Sequence, residues 1–186
     1  MSNHSMQCDQ NLIDHISTLM SSSEEDALSA IGAAMQRWPS DARLYLLRGA
    51  IFGHRASYPE ARIDLSRAIA LAPDLPIARF MLGYLEILAG DTTAALTIFM
   101  PLQVCEHESM RLFATAMVDL LEGRVAAAKE DLEAGLAASP DYPALEPYIQ
   151  SVLRSIGQRG NSAASDFDTE FGAHHFLLTD YKHRLN

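Results

Sequence analysis

The residues of this sequence that could carry out chemistry are few, and they match no familiar catalytic pattern. The chain has no GxSxG, HExxH or phosphate-binding loop, and it has no glycine-rich dinucleotide motif. Its acidic residues lie on apparent helix faces without an evident pairing. We therefore expect a protein that is not an enzyme and that uses no cofactor.

Three histidines near the C-terminus, His174, His175 and His183, are candidates for metal ligands. A metal site needs three or four preorganised ligands, and this segment shows no sign of such an arrangement. Surface histidines are the favoured interpretation, and no metal site is predicted.

Isolated polar residues in apolar surroundings are the remaining chemical candidates. Asp119 lies in the apolar run FATAMVDLLEG, where it could be a helix-face acid or could pair with a neighbouring cation. Arg43 and His54 could anchor a carboxylate, but solvated positions explain them equally well. None of these residues predicts a reaction.

The two cysteines, Cys8 and Cys105, lie far apart and outside any CxxC motif. A disulfide framework or a structural zinc site therefore has no support in the sequence. The N-terminal sequence lacks a basic region followed by an apolar one, as a secretory signal would have. We expect reduced thiols in a cytoplasmic protein.

The formal net charge of -10 opposes non-specific attraction to nucleic acid or to anionic lipid. No uncharged apolar run approaches the length that a membrane-spanning helix needs. Neither nucleic-acid binding nor membrane insertion is predicted.

A proline-bounded turn recurs along the chain in front of apolar segments. Pro73 follows Pro39 by 34 residues, and Pro140 follows Pro73 by 67, which leaves room for an unmarked turn near His107. A constant period of this length is typical of stacked helix-turn-helix units, each of which buries its apolar face against its neighbours. The prediction is a helical repeat array.

The residues within each period resemble the tetratricopeptide repeat (TPR) family, which places small residues at the close contacts of each helix pair. Gly49, Gly83 and Ala116 match in the first helices, and Ala61, Ala95 and Ala128 match in the second. Small side chains at these positions let neighbouring helices approach closely. The other matching residues are Leu44, Tyr45, Leu65, Ala68, Leu82, Gly90, Phe99, Gly123, Leu132 and Gly135.

The resemblance implies an all-α fold, a right-handed α-solenoid of about four TPR-like helix-turn-helix units with a closing helix. The helical domain is predicted over residues 1–156. A linker of small and polar residues follows over 157–166, and an extended, aromatic C-terminal tail over 167–186.

The segment PIARFMLGYLEILAG is too apolar for an ordinary surface helix. In the family that the chain resembles, the first helix of each pair packs against two neighbours and also lines a concave groove. The resemblance therefore implies a partner-binding groove in which these side chains face solvent in the free protein. Its predicted residues are Leu46, His54, Ile77, Phe80, Tyr84, Ile87, Leu88, Met110, Phe113, Met117, Leu120 and Leu121.

Two other interpretations of these apolar residues stay open. They could be core between repeats, or the groove could be filled by the chain's own tail or by a second copy, as in a homodimer. The tail contains more large apolar residues than disordered tails normally do. Its predicted docking residues are Phe167, Phe171, Phe176, Leu177, Leu178 and Tyr181.

A groove of aromatic, Leu and Met side chains suits an amphipathic helix or an extended apolar peptide. The leading hypothesis is an adaptor or assembly factor that binds a protein or peptide partner. The chain is also similar in design to the small acidic TPR chaperones of type III secretion, so a cytoplasmic chaperone for a secreted or membrane-inserting client is the alternative. Catalysis is a distant third.

Overall fold

The computed structural model describes residues 7–138, 142 and 145–159, without the side chains of residues 147, 148, 158 and 159. All regular secondary structure within these residues is helical, which confirms the predicted all-α class for this part of the chain. The described residues divide into two compact units, the first running up to Ala78 and the second from Arg79 onward. The predicted tail lies outside the described residues.

The first unit contains four helices: α1 (Gln10–Ser22), α2 (Glu24–Arg37), α3 (Ala42–His54) and α4 (Tyr58–Leu71). Each packs against the next, and α1 also contacts α3. Their apolar stripes form one core, in which Ile16, Ile31, Leu44, Ile51 and Leu65 are completely buried.

Polar residues define where these helices begin. The side chain of Ser23 accepts a hydrogen bond from the Asp26 N–H, while its own N–H donates to the Leu19 carbonyl. One residue therefore ends α1 and begins α2, and acidic residues occupy the first turn of α2, where the helix dipole favours negative charge. Pro59 lies in the first turn of α4, where its missing N–H has no cost.

Cys8, Asp41 and Arg43 tie the residues before α1 to the start of α3, and we call this group the Cys8 clasp. The Cys8 N–H donates to Oδ2 of Asp41 at 2.8 Å. The Arg43 guanidinium donates to the same carboxylate and to the Cys8 carbonyl, each at 2.7 Å. Asp41 is 1% exposed, so its charge is buried and is balanced by Arg43.

The second unit contains α6 (Thr92–Phe99), a 3-10 segment (Met100–Val104), α7 (Glu108–Leu121), α8 (Val125–Ala137) and α9 (Glu146–Arg159). The preceding helix, α5 (Pro76–Leu88), crosses the division between the units. Within the second unit α7 packs on α8, on α6 and on the 3-10 segment, and α9 packs on α8.

Close approaches between paired helices depend on glycine. A Cβ built on Gly83 of α5 would be 2.8 Å from the Phe99 ring of α6, and one built on Gly135 of α8 would be 2.5 Å from the Phe113 ring of α7. In the first unit a Cβ on Gly49 would be 3.0 Å from Leu65. The matching alanines, Ala61, Ala95 and Ala128, are each 0% exposed, as the close-contact interpretation requires.

The helix boundaries follow the period read from the prolines. From Tyr58, the start of α4, to Thr92, the start of α6, is 34 residues, and α8 begins 33 residues further on, at Val125. α9 continues to Arg159, into the predicted linker. Repeated helix pairs are thus observed within each unit, whereas the right-handed solenoid stays a prediction.

Candidate partner-binding surface

In the first unit, the predicted groove residues on α3 are half-buried and one of them has a partner within the chain. Leu46 and His54 are both partly exposed. The Nδ1 atom of His54 lies 2.8 Å from Oε1 of Glu24, and Nε of Arg55 lies 2.6 Å from Oε2 of the same carboxylate. His54 therefore contacts a carboxylate of this chain, that of Glu24 at the start of α2. It is not open to bind the carboxylate of a partner through this nitrogen.

Arg43, the second residue considered for binding a carboxylate, is engaged in the same way by Asp41 of the Cys8 clasp. Burial alone would raise the pKa of the Asp41 carboxyl, but hydrogen bonds from Arg43 and from the Cys8 N–H outweigh that effect and lower it. Burial, together with the nearby Asp41 carboxylate, raises the pKa of the Cys8 thiol to about 11. The clasp is therefore a structural ion pair beside an un-ionised thiol.

The predicted groove residues on α5 fall into two classes. Ile77, Ile87 and Leu88 are half-buried. Phe80 and Tyr84 are 0% and 4% exposed, and the Phe80 ring packs edge-on against Phe99 with ring centroids 5.5 Å apart. The expectation that Phe80 and Tyr84 face solvent is therefore wrong.

The helix α5 is buried on nearly all sides, since the residues beside Phe80 and Tyr84 are covered as well. Met81, Leu82 and Leu85 are 5%, 8% and 4% exposed. A helix that is apolar all round is typically a buried helix, and this accounts for the unusual composition of the segment. A partner could reach Phe80 or Tyr84 only after the covering side chains had moved.

On α7 the predicted residues are mostly buried. Phe113 packs against Gly135 of α8. Leu121, at the C-terminal end of the helix, is half-buried. The buried members of the predicted set on this helix are Met110, Phe113, Met117 and Leu120, each exposed by 5% or less.

Members of the predicted groove that stay partly exposed are thus found on three of the first helices, α3, α5 and α7. They are Leu46 on α3, Ile77, Ile87 and Leu88 on α5, and Leu121 on α7. Whether they bind a partner stays a prediction. Among the described residues, the large apolar side chains with the greatest exposure lie elsewhere, at Ile63, Met100, Val104 and Val125.

Asp119 pairs with a neighbouring cation, one of the two interpretations open from the sequence. Its carboxylate is 7% exposed and accepts hydrogen bonds from Arg124, which also contacts Glu122. These contacts span the turn between α7 and α8, where Gly123 has a φ of 79°. The contacts of Asp119 thus fix a tight turn.

The buried ion pair between Arg48 and Asp64 was not predicted. Nε and Nη2 of Arg48 donate to the two carboxylate oxygens of Asp64 at 2.7 and 2.8 Å, and Asp64 is 2% exposed. The guanidinium lies 5.9 and 6.0 Å from the ring centroids of Tyr45 and Phe52. The sequence did contain a signal for this pair: Asp64 is next to Leu65, and the repeat period places Leu65 on the inner face of α4.

The part of the chain that the structure describes contains no group of three or more His, Cys, Asp or Glu residues arranged to hold a metal ion. In the same part, no helix combines the length and the apolar character that crossing a bilayer would require. The tail residues predicted to dock, and the three tail histidines, lie outside the described residues.

No protein-family model matches this chain, and no curated protein matches it either.

Proposed function

We propose that this chain is a non-catalytic interaction module, built from TPR-like helix pairs in a right-handed solenoid, that binds an apolar helix or extended peptide of a partner protein as an adaptor or assembly factor. The observation that carries the proposal is the distribution of half-buried apolar residues. They recur at the predicted groove positions of the first helices, α3, α5 and α7, in addition to the side chains that those helices use for packing.

The chemistry of the described residues supports binding rather than turnover. His54, Arg43, Arg48 and Arg124 contact carboxylates of this chain, so the conspicuous polar groups act in the fold. Side chains such as Leu46, Leu88 and Leu121 offer apolar area without a polar group that would fix a reactive orientation. Such a surface favours a partner with spaced apolar anchors.

The burial of Phe80, Tyr84 and Met117 limits the size of this surface in the free protein. A small apolar surface offers few anchors, so little binding free energy is left after the entropic cost of association, and we expect a modest affinity. We infer transient binding of a short segment, with the leucines and isoleucines as anchors.

A displayed library of helical and extended peptides tests the proposal. Wild-type protein should select peptides with apolar residues spaced three to four apart for a helix, or two apart for a strand. The substitutions Leu88→Asp and Leu121→Asp should each weaken selected peptides at least tenfold, measured by fluorescence anisotropy.

Val125→Asp is the matched control, since Val125 is a 43% exposed apolar residue at the start of α8, outside the predicted groove. It should leave the affinity unchanged, and circular dichroism should show that all three variants keep their helix content. Equal weakening by Val125→Asp, or no selected peptide at all, contradicts the proposal.

A further inference from the structure

A strip of cations and aromatic rings lies on the surface of the first unit, where α2 ends and α3 begins. The guanidinium of Arg37, the last residue of α2, lies 4.8 Å from the centroid of the Trp38 ring. The guanidinium of Arg67 on α4 lies 6.0 Å from the centroid of the Tyr45 ring on α3. The Tyr45 hydroxyl donates to the Pro39 carbonyl at 2.9 Å, which connects the two cation–ring pairs. We call these five residues the Arg37–Arg67 strip.

Every member of the strip is at least partly accessible to solvent. Arg37, Pro39 and Arg67 are exposed, and Trp38 and Tyr45 are half-buried. Arginine, tyrosine and tryptophan are enriched at the positions that contribute most of the binding energy in protein interfaces. The strip therefore has the composition of a binding surface, and none of its residues belongs to the predicted groove.

The two arginines that give the strip its name make no ion pair within the part of the chain that the structure describes. Each contacts a ring instead. Contact with a ring uses none of the N–H groups of a guanidinium, so its five donors stay available for an anion. Arg48, by contrast, lies 5.9 Å from the Tyr45 ring but donates to both carboxylate oxygens of Asp64. Arg37 and Arg67 are thus cations that a ring holds in place without neutralising them.

Exposed acids on the same two helices lie too far away to neutralise these cations. Asp26, in the first turn of α2, precedes Arg37 by 11 residues, or about 16 Å of helix. Glu60, in the first turn of α4, precedes Arg67 by seven residues, or about 10 Å. Both separations exceed the screening length of about 8 Å at physiological ionic strength. Asp64, which is nearer to Arg67, is buried and already paired. The two helices therefore leave the strip positively charged.

We propose that the Arg37–Arg67 strip binds an acidic peptide segment of a partner protein, with each guanidinium donating to a carboxylate. A guanidinium matches a carboxylate through two parallel hydrogen bonds, and a guanidinium already positioned by a ring loses less entropy when that pair forms. The rings of Trp38 and Tyr45 offer apolar area to the side chains between the acids. Charge complementarity thus identifies the occupant, and this surface does not depend on the predicted groove.

A short protein segment fits this surface better than a nucleic acid. Double-stranded DNA carries one charge per roughly 1.7 Å along its axis, so a bound duplex would extend beyond the strip over the acids of a chain with a net charge of -10. Two available arginines offset few of those phosphates. An acidic segment of a few residues contacts only the strip.

The fluorescence of Trp38 reports binding directly, because Trp38 is the only tryptophan of the chain and lies within the strip. The probe is a synthetic octapeptide of alternating glutamate and serine, titrated into the full chain at low salt. The Trp38 emission should change and then saturate, whereas the matching glutamine–serine octapeptide should cause no change. Raising the salt from about 50 to about 300 mM should weaken binding of the glutamate peptide roughly threefold, since surface charges are screened.

Charge-removing variants locate the binding surface. Arg37→Gln and Arg67→Gln should each weaken binding of the glutamate peptide about fivefold, and both should fold because these side chains are exposed. Arg154→Gln is the matched control, since it removes an exposed arginine of α9, outside the strip. It should leave the affinity unchanged, and circular dichroism should show that all three variants keep their helix content. Equal weakening by Arg154→Gln, or wild-type affinity in both strip variants, overturns the proposal.

Two further measurements identify the occupant. An oligothymidylate that binds more tightly than the glutamate peptide would mean that the strip recognises a phosphate backbone, which overturns the proposal. A change in Trp38 emission with protein concentration alone, accompanied by dimers in sedimentation, would mean that a second copy covers the strip and would overturn it as well. Leu121→Asp, which tests the predicted groove, should leave the affinity for the glutamate peptide unchanged. Failure of the groove and failure of the strip are therefore distinguishable.

Discussion

Gly83 of α5 lies so close to Phe99 of α6 that a Cβ built on the glycine would be 2.8 Å from Cζ of the ring and 3.0 Å from its two Cε atoms. Phe99 is completely buried and also packs against Phe80, so its ring cannot easily move aside. The Gly83→Ala substitution should therefore lower the free energy of unfolding by about 1–3 kcal/mol through overpacking. Urea denaturation followed by circular dichroism measures the change.

Gly32→Ala is the matched control for Gly83→Ala, because it is also a helical glycine but a Cβ there would meet no atom within 4 Å. It should raise the free energy of unfolding by roughly 0.5–1 kcal/mol, since alanine loses less backbone entropy than glycine in a helix. Equal effects of the two substitutions would contradict the close contact between α5 and α6.

The pair formed by Arg48 and Asp64 should be sensitive to loss of its cation. Arg48→Met keeps much of the side-chain volume but leaves the carboxylate of Asp64, which is 2% exposed, without its partner. An uncompensated buried charge is costly, and we expect a loss of about 2–4 kcal/mol in the free energy of unfolding, measured by chemical denaturation.

Lys129→Met supplies the comparison for the Arg48 variant. Lys129 pairs with Glu133 at 3.7 Å, and both side chains are more than half exposed. Exposed pairs of this kind contribute about 0.5 kcal/mol or less, so the substitution should be nearly neutral. A loss at Lys129 as large as that at Arg48 would mean that burial does not set the strength of these pairs.

The Cys8 clasp should make folding sensitive to acid. The pKa of Asp41 is lowered in the folded protein, so its stabilising contribution is complete above the unfolded-state value of about 3.9 and is lost as the pH falls through the lower folded value. Asp41→Asn should remove this part of the acid dependence. The free energy of unfolding, measured from pH 7 to pH 2.5, should therefore fall less steeply in the variant.

An exposed acid on α2 provides the control for the acid dependence. Glu25→Gln should keep the steep wild-type fall at low pH. A pH profile for Asp41→Asn that superimposes on the wild-type profile would contradict the role assigned to the clasp.

The two classes of predicted groove residue should respond differently to charge. Phe80→Arg places a cation at a position that is 0% exposed and should cost about 3–5 kcal/mol or prevent folding. Leu88→Arg, at a half-buried position ending the same helix, should cost about 1 kcal/mol or less. Thermal melting distinguishes them, and comparable melting temperatures would contradict the burial of α5.

The two cysteines should differ in reactivity. At pH 8 Cys105 should react with a disulfide reagent in the folded protein, whereas Cys8 should react only after unfolding. Cys8 is 4% exposed and its thiol pKa is raised to about 11, so both access and ionisation are unfavourable. If Cys8 and Cys105 reacted with the reagent at the same rate without denaturant, the burial of Cys8 in the clasp would be contradicted.

Periodicity predicted the fold class well because it reflects which residues must be small or apolar at each helix contact. Ala61, Ala95 and Gly83 were recognised from the resemblance to the TPR pattern within each period, and each lies at a close helix contact or is fully buried. The burial of Phe80 and Tyr84 could not be predicted in this way. A repeat pattern indicates which face a side chain occupies, but not whether another part of the chain covers that face.

The ion pair between Arg48 and Asp64 was missed for a related reason. Asp64 follows Arg48 by 16 residues, so the pair forms only once α3 and α4 are folded against each other. No local rule of helix charge spacing reports such a contact, because local rules cover residues three or four apart. Asp119 was easier, since its apolar neighbours made pairing with a nearby cation one of the two interpretations, and Arg124 is only five residues away.

The proline at position 101 changes the winding of the chain within one helix pair. Its ring removes the N–H that would bond to the Thr97 carbonyl, and the chain continues as a 3-10 segment from Met100 to Val104. A 3-10 helix turns about 120° per residue and an α-helix about 100°, so the four steps to Val104 accumulate about 80° of extra rotation. One imino acid thereby changes the azimuth of Val104 about the helix axis, and with it the part of the surface on which this 82% exposed side chain lies.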